Sequence, residues 1–243
     1  MLELRNVTKR YRAAGKAAVD SLDLTVEDGA IFGFLGPNGA GKSTTIRMIV
    51  TLLRADSGTI AFDGVGSTVD VAYKRLVGYC ADEPLFYEKM TGLQHLSFIA
   101  DIHRLDASTR KARIDELAGR LELGGALSDP IASYSHGMKQ KLSIIAALLH
   151  QPRLLVLDEP MVGLDPKASF TLKTLLRQYA QKGNTVFFST HVLEVAQELC
   201  TTLGIIDEGR LLYSGSFEQL RTLNGSQGQS LEDLFLSLTE EMP

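Results

Sequence analysis

The sequence lacks the features that mark several protein classes. It has only two cysteines, Cys80 and Cys200, far apart and in no closely spaced pair, so we expect free thiols in the core rather than a disulfide framework or a metal site. No apolar run approaches the roughly 18 residues that cross a bilayer, and the residues after Met1 lack a signal peptide's apolar stretch. The net charge of −4 provides no basic field for nucleic acid.

The rest of the composition is that of an ordinary α/β protein. Of 243 residues, 44% are hydrophobic and 22% are charged, which is enough for one or two domains with a substantial core. There is no internal repeat and no low-complexity block. The nearest stretch to a linker is 224–229, which is rich in glycine and glutamine.

One segment indicates a chemistry. Nine consecutive residues contain the phosphate-loop pattern G-x-x-x-x-G-K-[S/T]: Gly36, Pro37, Asn38, Gly39, Ala40, Gly41, Lys42, Ser43 and Thr44. Glycines let successive N–H groups point at an anion, Lys42 supplies a positive charge, and Ser43 suits Mg²⁺. An apolar strand over 31–35 and a helix over 44–51 are predicted on either side. This context favours a nucleotide site over a glycine-rich turn that binds nothing.

The order of apolar patterns predicts an α/β core in two pieces. Strand-like runs occupy 2–4, 17–26, 58–63 and 77–80, and strands return at 154–157, 186–188, 203–207 and 210–214. Between them, 91–150 has helical spacing. We expect a discontinuous core of 1–86 and 151–215, a helical insert of 87–150, and a tail of 216–243 with a helix capped near Ser230. Alternating strands and helices imply a mainly parallel sheet.

Two acids end the strand at 154–157. The carboxyl ends of parallel strands beside a phosphate loop are where such sheets bind ligands. Asp158 is therefore predicted to hold the metal through its water shell, and Glu159 to orient or deprotonate the attacking water. The alternative is a pair of solvated acids without a role, which the neighbouring phosphate loop disfavours.

A second candidate anion site opens the helix that runs to residue 150. Ser135 stands where an N-cap belongs, and the helix behind it has free N–H groups. Taken alone, this position is better explained by ordinary helix capping. An anion site is favoured here because Ser135 occurs 23 residues before Asp158 in a chain that also has a phosphate loop.

Over nearly its whole length the chain resembles the nucleotide-binding subunit of an ABC transporter. The resemblance implies a P-loop NTPase (RecA-like) core with a mainly parallel sheet, an antiparallel β subdomain and an inserted α-helical subdomain. Residues 36–44 match Walker A, Asp158 matches Walker B, and residues 163–165 match the D-loop. The nucleotide contacts then come from Walker A and from Tyr11 on adenine, Ser135, His136, Gly137 and Met138 of the signature, and Asp165.

The same resemblance implies the chemistry of the site. Glu159, Lys42 and His191, the switch histidine at the γ-phosphate, form the catalytic set. Ser43, Asp82 and Asp158 are the metal ligands, and ATP and Mg²⁺ are the cofactors.

The chain departs from the family pattern at three positions. Asp82 replaces the usual glutamine, His136 the first signature glycine, and Met138 the signature glutamine. Asp82 is either a Mg²⁺ ligand or only a loop acid. His136 either crowds the partner's nucleotide or, when protonated, helps to bind it. The altered signature and the acid in place of glutamine resemble those of the ATPases of ABC-2-type and Ecs-like exporters.

The resemblance therefore implies an ATPase whose site is shared by two chains. A homodimer, or a heterodimer with a related ATPase subunit, would close around two MgATP and drive separate integral-membrane permease subunits for export. The chain would lie on the cytoplasmic face of the membrane and bind no nucleic acid. The alternatives are a soluble ABC ATPase acting on ribosomes or DNA, and a regulatory module that binds nucleotide without hydrolysis.

Overall fold

A computed structural model describes residues 1–11, 15–67, 71–223 and 231–240. The predicted linker at 224–229 and the predicted cap Ser230 lie outside these ranges. Within them we find no helix with the length and apolar character that a membrane crossing requires.

The described part of the chain contains ten strands and nine α-helices. The strands are β1 (Leu2–Arg10), β2 (Ala17–Val26), β3 (Ile31–Leu35), β4 (Ser57–Phe62), β5 (Val65–Gly66), β6 (Val77–Cys80), β7 (Leu154–Asp158), β8 (Thr185–Thr190), β9 (Thr202–Asp207) and β10 (Arg210–Gly215). The helices are α1 (Lys42–Ile49), α2 (Val71–Leu76), α3 (Gly92–Ile102), α4 (Ala107–Arg120), α5 (His136–Leu148), α6 (Pro166–Gln181), α7 (Leu193–Leu199), α8 (Phe217–Leu223) and α9 (Leu231–Glu240).

The larger sheet is mainly parallel and brings three strand ends together. Its order is β10-β9-β3-β8-β7-β6, with antiparallel pairing only at β10. Every residue of β3, β7 and β8 is buried, as expected for parallel strands covered on both faces. Because β3, β8 and β7 are neighbours, the phosphate loop, residue 191 and the acids at the end of β7 all lie at one edge of the sheet.

The antiparallel sheet packs against the other side of the core. Its order is β2-β1-β4-β5, and its apolar side chains share a cluster with Phe32, Phe34 and Ile46 from β3 and α1. Alternation along β1 and β2 buries every second residue at Leu2, Leu4, Leu22, Leu24 and Val26. The second sheet thus supports the strand and the helix that flank the phosphate loop.

Helices α3 to α5 form the helical insert. Each begins at a side-chain cap: Thr91 in a capping box with Gln94, Asp106, and Ser135. Such caps satisfy the free N–H groups of a first turn. The insert shares its apolar cluster with β7 and β8, so the start of α5 is placed relative to the catalytic edge of the sheet.

The predicted architecture of mainly parallel sheet, antiparallel sheet and helical insert is confirmed, and the final helix is observed as α9. Strand β1 runs on to Arg10, α1 begins at Lys42, and α2 was not predicted. The domain boundaries at 86, 150 and 215 stay a prediction.

Cys80 and Cys200 are free, and burial raises the pKa of each thiol to about 12, so both are poor nucleophiles.

Candidate active site

The phosphate loop packs closely against β9 of the larger sheet and β2 of the antiparallel sheet. A Cβ at Gly36 would overlap the Ile206 carbonyl oxygen, and one at Gly41 would lie 2.5 Å from the Ala18 carbonyl oxygen. Gly41 also has a φ of +109° where it caps α1, which a side chain would resist. Close packing and backbone conformation therefore require glycine here before any ligand is considered.

Lys42 lies beneath the loop without an acidic partner. Its Nζ donates to the carbonyl oxygens of Gly36 at 2.6 Å and Pro37 at 3.0 Å, and the residue is 7% exposed. Burial lowers the pKa of Lys42, while the charges of Glu159 and Asp158 oppose that shift. No carboxylate in the described ranges forms an ion pair with it. A buried amine of this kind fits the negative charge of a polyphosphate.

A serine that sequence reasoning missed holds both strand-end acids. The hydroxyl of Ser189, on β8, donates to Asp158 Oδ1 and accepts the Glu159 N–H at 3.1 Å. Asp158 and Ser189 are paired in register across the two strands. The only signal in the sequence was a serine after an apolar run. One buried hydroxyl thereby holds the Asp158 carboxylate and the backbone at Glu159.

Glu159 is also held from its other side. His191 Nδ1 lies 3.0 Å from Glu159 Oε1, with 57% of the His191 side chain exposed and 14% of the Glu159 side chain. The backbone of Glu159 has a φ of +47°, a left-handed conformation that costs about 1–2 kcal/mol for a residue with a side chain. Backbone strain of this kind is concentrated at functional sites.

These groups surround one cleft of about 200 Å³. It is lined by Ala18, Asn38, Gly39, Gly41, Lys42, Ser43, Thr44, Asp82, Asp158 and Glu159. The structure thus brings the phosphate loop together with three of the predicted acids. A larger hollow of about 560 Å³ beside the antiparallel sheet is separate from these acids, and its Lys9 and Asp56 are paired with each other.

Asp82 faces the same acidic end of the cleft. Its pKa is raised, first by burial and then by the charges of Asp158 and Glu159. No group of three metal-binding side chains occurs in the described ranges. Mg²⁺ in nucleotide sites needs no such cage, since one or two carboxylates, phosphate oxygens and waters complete its shell. The donor set of Ser43, Asp158 and Asp82 fits that requirement.

Tyr11 lies at the rim of the phosphate loop. Its hydroxyl is 3.3 Å from Thr44 Oγ1, the last residue of the loop, and the side chain is 40% exposed. The ring is therefore available to a flat base beside the loop. Residues 12–14, which follow it, lie outside the described ranges.

The signature residues do not line this cleft. Ser135 accepts the Met138 N–H at 3.3 Å and caps α5, as the simpler interpretation predicted. Asp165 caps α6 by accepting the Ala168 N–H at 2.9 Å. His136 and Gly137 lie against Gly163 of the same chain. One chain therefore assembles Walker A, the acids and His191, but keeps its signature outside that assembly.

Comparison with known proteins decides the family. The sequence model described as "ABC transporter" matches residues 19–162, more than half of the chain. The chain belongs to the ABC transporter family. It is an ATP-binding subunit and an ATPase.

Two relatives and one solved structure agree with this assignment. The chain is 33% identical to the ABC-type transporter ATP-binding protein EcsA of Bacillus subtilis, over 99% of this chain and 97% of EcsA. It is 37% identical to the daunorubicin/doxorubicin resistance ATP-binding protein DrrA of Streptomyces peucetius, over 93% of this chain and 68% of DrrA. The solved ATP-binding subunit of an ABC transporter superposes with a TM-score of 0.93 at 32% identity, covering 98% of this chain and 99% of that one.

Proposed function

We propose that this ATPase closes as a dimer around two MgATP and drives separate membrane subunits of an exporter. The observation that carries the proposal is the incomplete site. Lys42, Asp158 and Glu159 line one cleft, whereas Ser135 opens a helix outside it. A second copy would supply the missing face.

Within one chain the residues have separable roles. Lys42 exchanges the carbonyl oxygens of Gly36 and Pro37 for phosphate oxygens. Ser43, Asp158 and Asp82 would hold Mg²⁺, which neutralises developing charge on the phosphates. Glu159 accepts a proton from the attacking water. Ser189 holds the backbone of Glu159, and His191 holds its carboxylate. The site then acts chiefly by positioning and electrostatics.

Closure would complete the site from the partner chain. The first turn of α5 has N–H groups without helical partners, and the helix dipole favours negative charge there. The Ser135 hydroxyl and these N–H groups would meet the terminal phosphate of the partner's ATP. Hydrolysis would remove those contacts and let the dimer reopen, so that ATP controls the association of two chains.

A groove beside the helical insert suits a membrane partner. It has a volume of about 220 Å³ and is lined partly by Pro84, Phe86 and Ile99. Leu85, which also lines it, is 96% exposed, and nearby Tyr87 is 71% exposed. Apolar side chains exposed together mark interaction sites. We assign the groove to a segment of a permease subunit on the cytoplasmic face of the membrane; the likeness to a drug-resistance ATP-binding protein supports export.

Co-purification tests this assignment. The tagged chain, extracted with mild detergent from its native cell, is expected to bring down a polytopic membrane protein. The matched variant Leu85→Asp should lose that protein while its ATP binding stays intact, because Leu85 lies in the groove and outside the phosphate cleft. Recovery of an ATPase without any membrane protein, by the wild type as well as by the variant, would contradict a transporter role.

A further inference from the structure

His136 is the first residue of α5, where the family pattern has glycine, and the structure shows what its ring contacts. The imidazole lies on Gly163, in the loop of residues 160–165 between β7 and α6. A Cβ built at Gly163 would overlap His136 Cδ2 and lie 2.7 Å from its Nε2. The ring therefore occupies the space that any side chain at 163 would need.

The contact belongs to a wider attachment between α5 and this loop. A Cβ at Gly137 would lie 2.7 Å from the Gly163 carbonyl oxygen. Gln140 Nε2 donates to the Pro160 carbonyl oxygen at 3.4 Å, and Lys141 Nζ lies 3.7 Å from Asp165 Oδ2. Four residues from the first two turns of α5 thus contact the loop between its two ends.

The two ends of this loop connect its attachment on α5 to the catalytic residues. It begins directly after Glu159, the expected base of its own cleft, and ends at Asp165, which caps α6. We propose that His136 is a positioning residue that locks residues 160–165 onto α5, so that the catalytic loop of one site and the signature offered to the other move as one body. The inference rests on the proposed closure of two chains.

The His136 ring packs on the loop of its own subunit rather than extending freely from α5.

Two substitutions separate a steric lock from other roles. His136→Ala removes the ring while keeping a good helix former, and we expect kcat to fall about 5- to 10-fold with KM for ATP within about twofold, since a small misplacement costs rate rather than binding. His136→Phe keeps a ring and should recover most of the lost kcat. Circular dichroism should show both variants folded at the assay temperature. Unchanged kcat in His136→Ala, or equal losses in both variants, would overturn the lock.

A double-mutant cycle tests the contact itself. Gly163 has a φ of +77°, so Gly163→Ala carries a backbone strain that is the same with or without the His136 ring and cancels in the cycle. Only the overlap with the ring differs. We expect Gly163→Ala to reduce kcat in the wild-type background by a factor at least about threefold larger than in the His136→Ala background. Additive effects would refute the lock.

The failure of this inference is distinguishable from failure of the proposed dimer. Light scattering of Glu159→Gln with MgATP measures dimer formation. This measurement tests closure alone, because it does not depend on kcat. If that variant dimerises and His136→Ala turns over normally, only the role of His136 is wrong. If it stays monomeric, the proposed closure is wrong, and the lock, which rests on it, falls as well.

Discussion

Ser189→Ala is the substitution that best tests how the acids are held. The Ser189 side chain is completely buried, donates to Asp158 and accepts the Glu159 N–H. The variant loses a hydrogen bond to a charged group, worth about 1.5–3 kcal/mol, and leaves the part-buried Glu159 N–H without this partner, at a further cost of up to about 1 kcal/mol. These effects overlap, so we expect the free energy of unfolding to fall by about 2–4 kcal/mol.

The same change should affect catalysis more than nucleotide binding. Asp158 loses the hydrogen bond that orients its carboxylate, and Glu159 loses the one to its backbone N–H. Lys42 and the phosphate loop keep their contacts. We expect kcat to fall about 10- to 100-fold with the Kd for ATP within about threefold. Urea unfolding and steady-state ATPase rates would measure the two effects.

A matched control is the same substitution elsewhere. Ser67 is also buried but lies beside the antiparallel sheet and away from the acids, so Ser67→Ala should turn over at the wild-type rate. The reasoning is refuted if Ser189→Ala keeps the wild-type kcat and stability. It is also refuted if the two variants lose kcat equally.

Two further predictions concern groups at the same cleft. His191→Ala frees Glu159 Oε1 from its neighbour at 3.0 Å and should lower kcat about 100-fold while ATP binding persists; retention of more than half the rate would contradict this. Asp82→Asn tests pH dependence. The pKa of Asp82 is raised in the folded chain, so the folded state binds this proton more tightly than the unfolded state does. The resulting contribution to the free energy of unfolding is lost as pH rises through the folded pKa. Without nucleotide, Asp82→Asn should melt above wild type at pH 7 and match it in acid; lower stability at pH 7 would show that Asp82 makes a favourable contact.

The parts of the site that are local in sequence were predictable. Residues 36–44, Asp158 and Glu159 each stand beside a short apolar run that predicts a buried strand. The chemistry of each is contained in a few consecutive residues. Tyr11 and His191 were placed by resemblance, because a single aromatic or histidine has no local signature. The structure puts both beside the cleft.

The parts that depend on pairing between distant segments were not predictable. Ser189 reaches Asp158 only because β7 and β8 are neighbours in register, which no local pattern encodes. The direction of the His136 ring depends likewise on where the loop at Gly163 packs. Helix α2 was missed because it has six residues, too few for a helical period to be recognised. Its buried Tyr73 donates to the Ile49 carbonyl oxygen at 2.7 Å, so tertiary contact rather than sequence pattern accounts for this helix.

The most direct test of a site shared by two chains is the mass of Glu159→Gln in solution. This variant removes the expected base and keeps Lys42, Ser43 and Ser135, so MgATP should persist between two chains. Light scattering should show a dimer with MgATP and a monomer with MgADP, and Ser135→Arg in the same background should remain monomeric with both. A Glu159→Gln chain that stays monomeric in saturating MgATP, while binding it, would contradict the account.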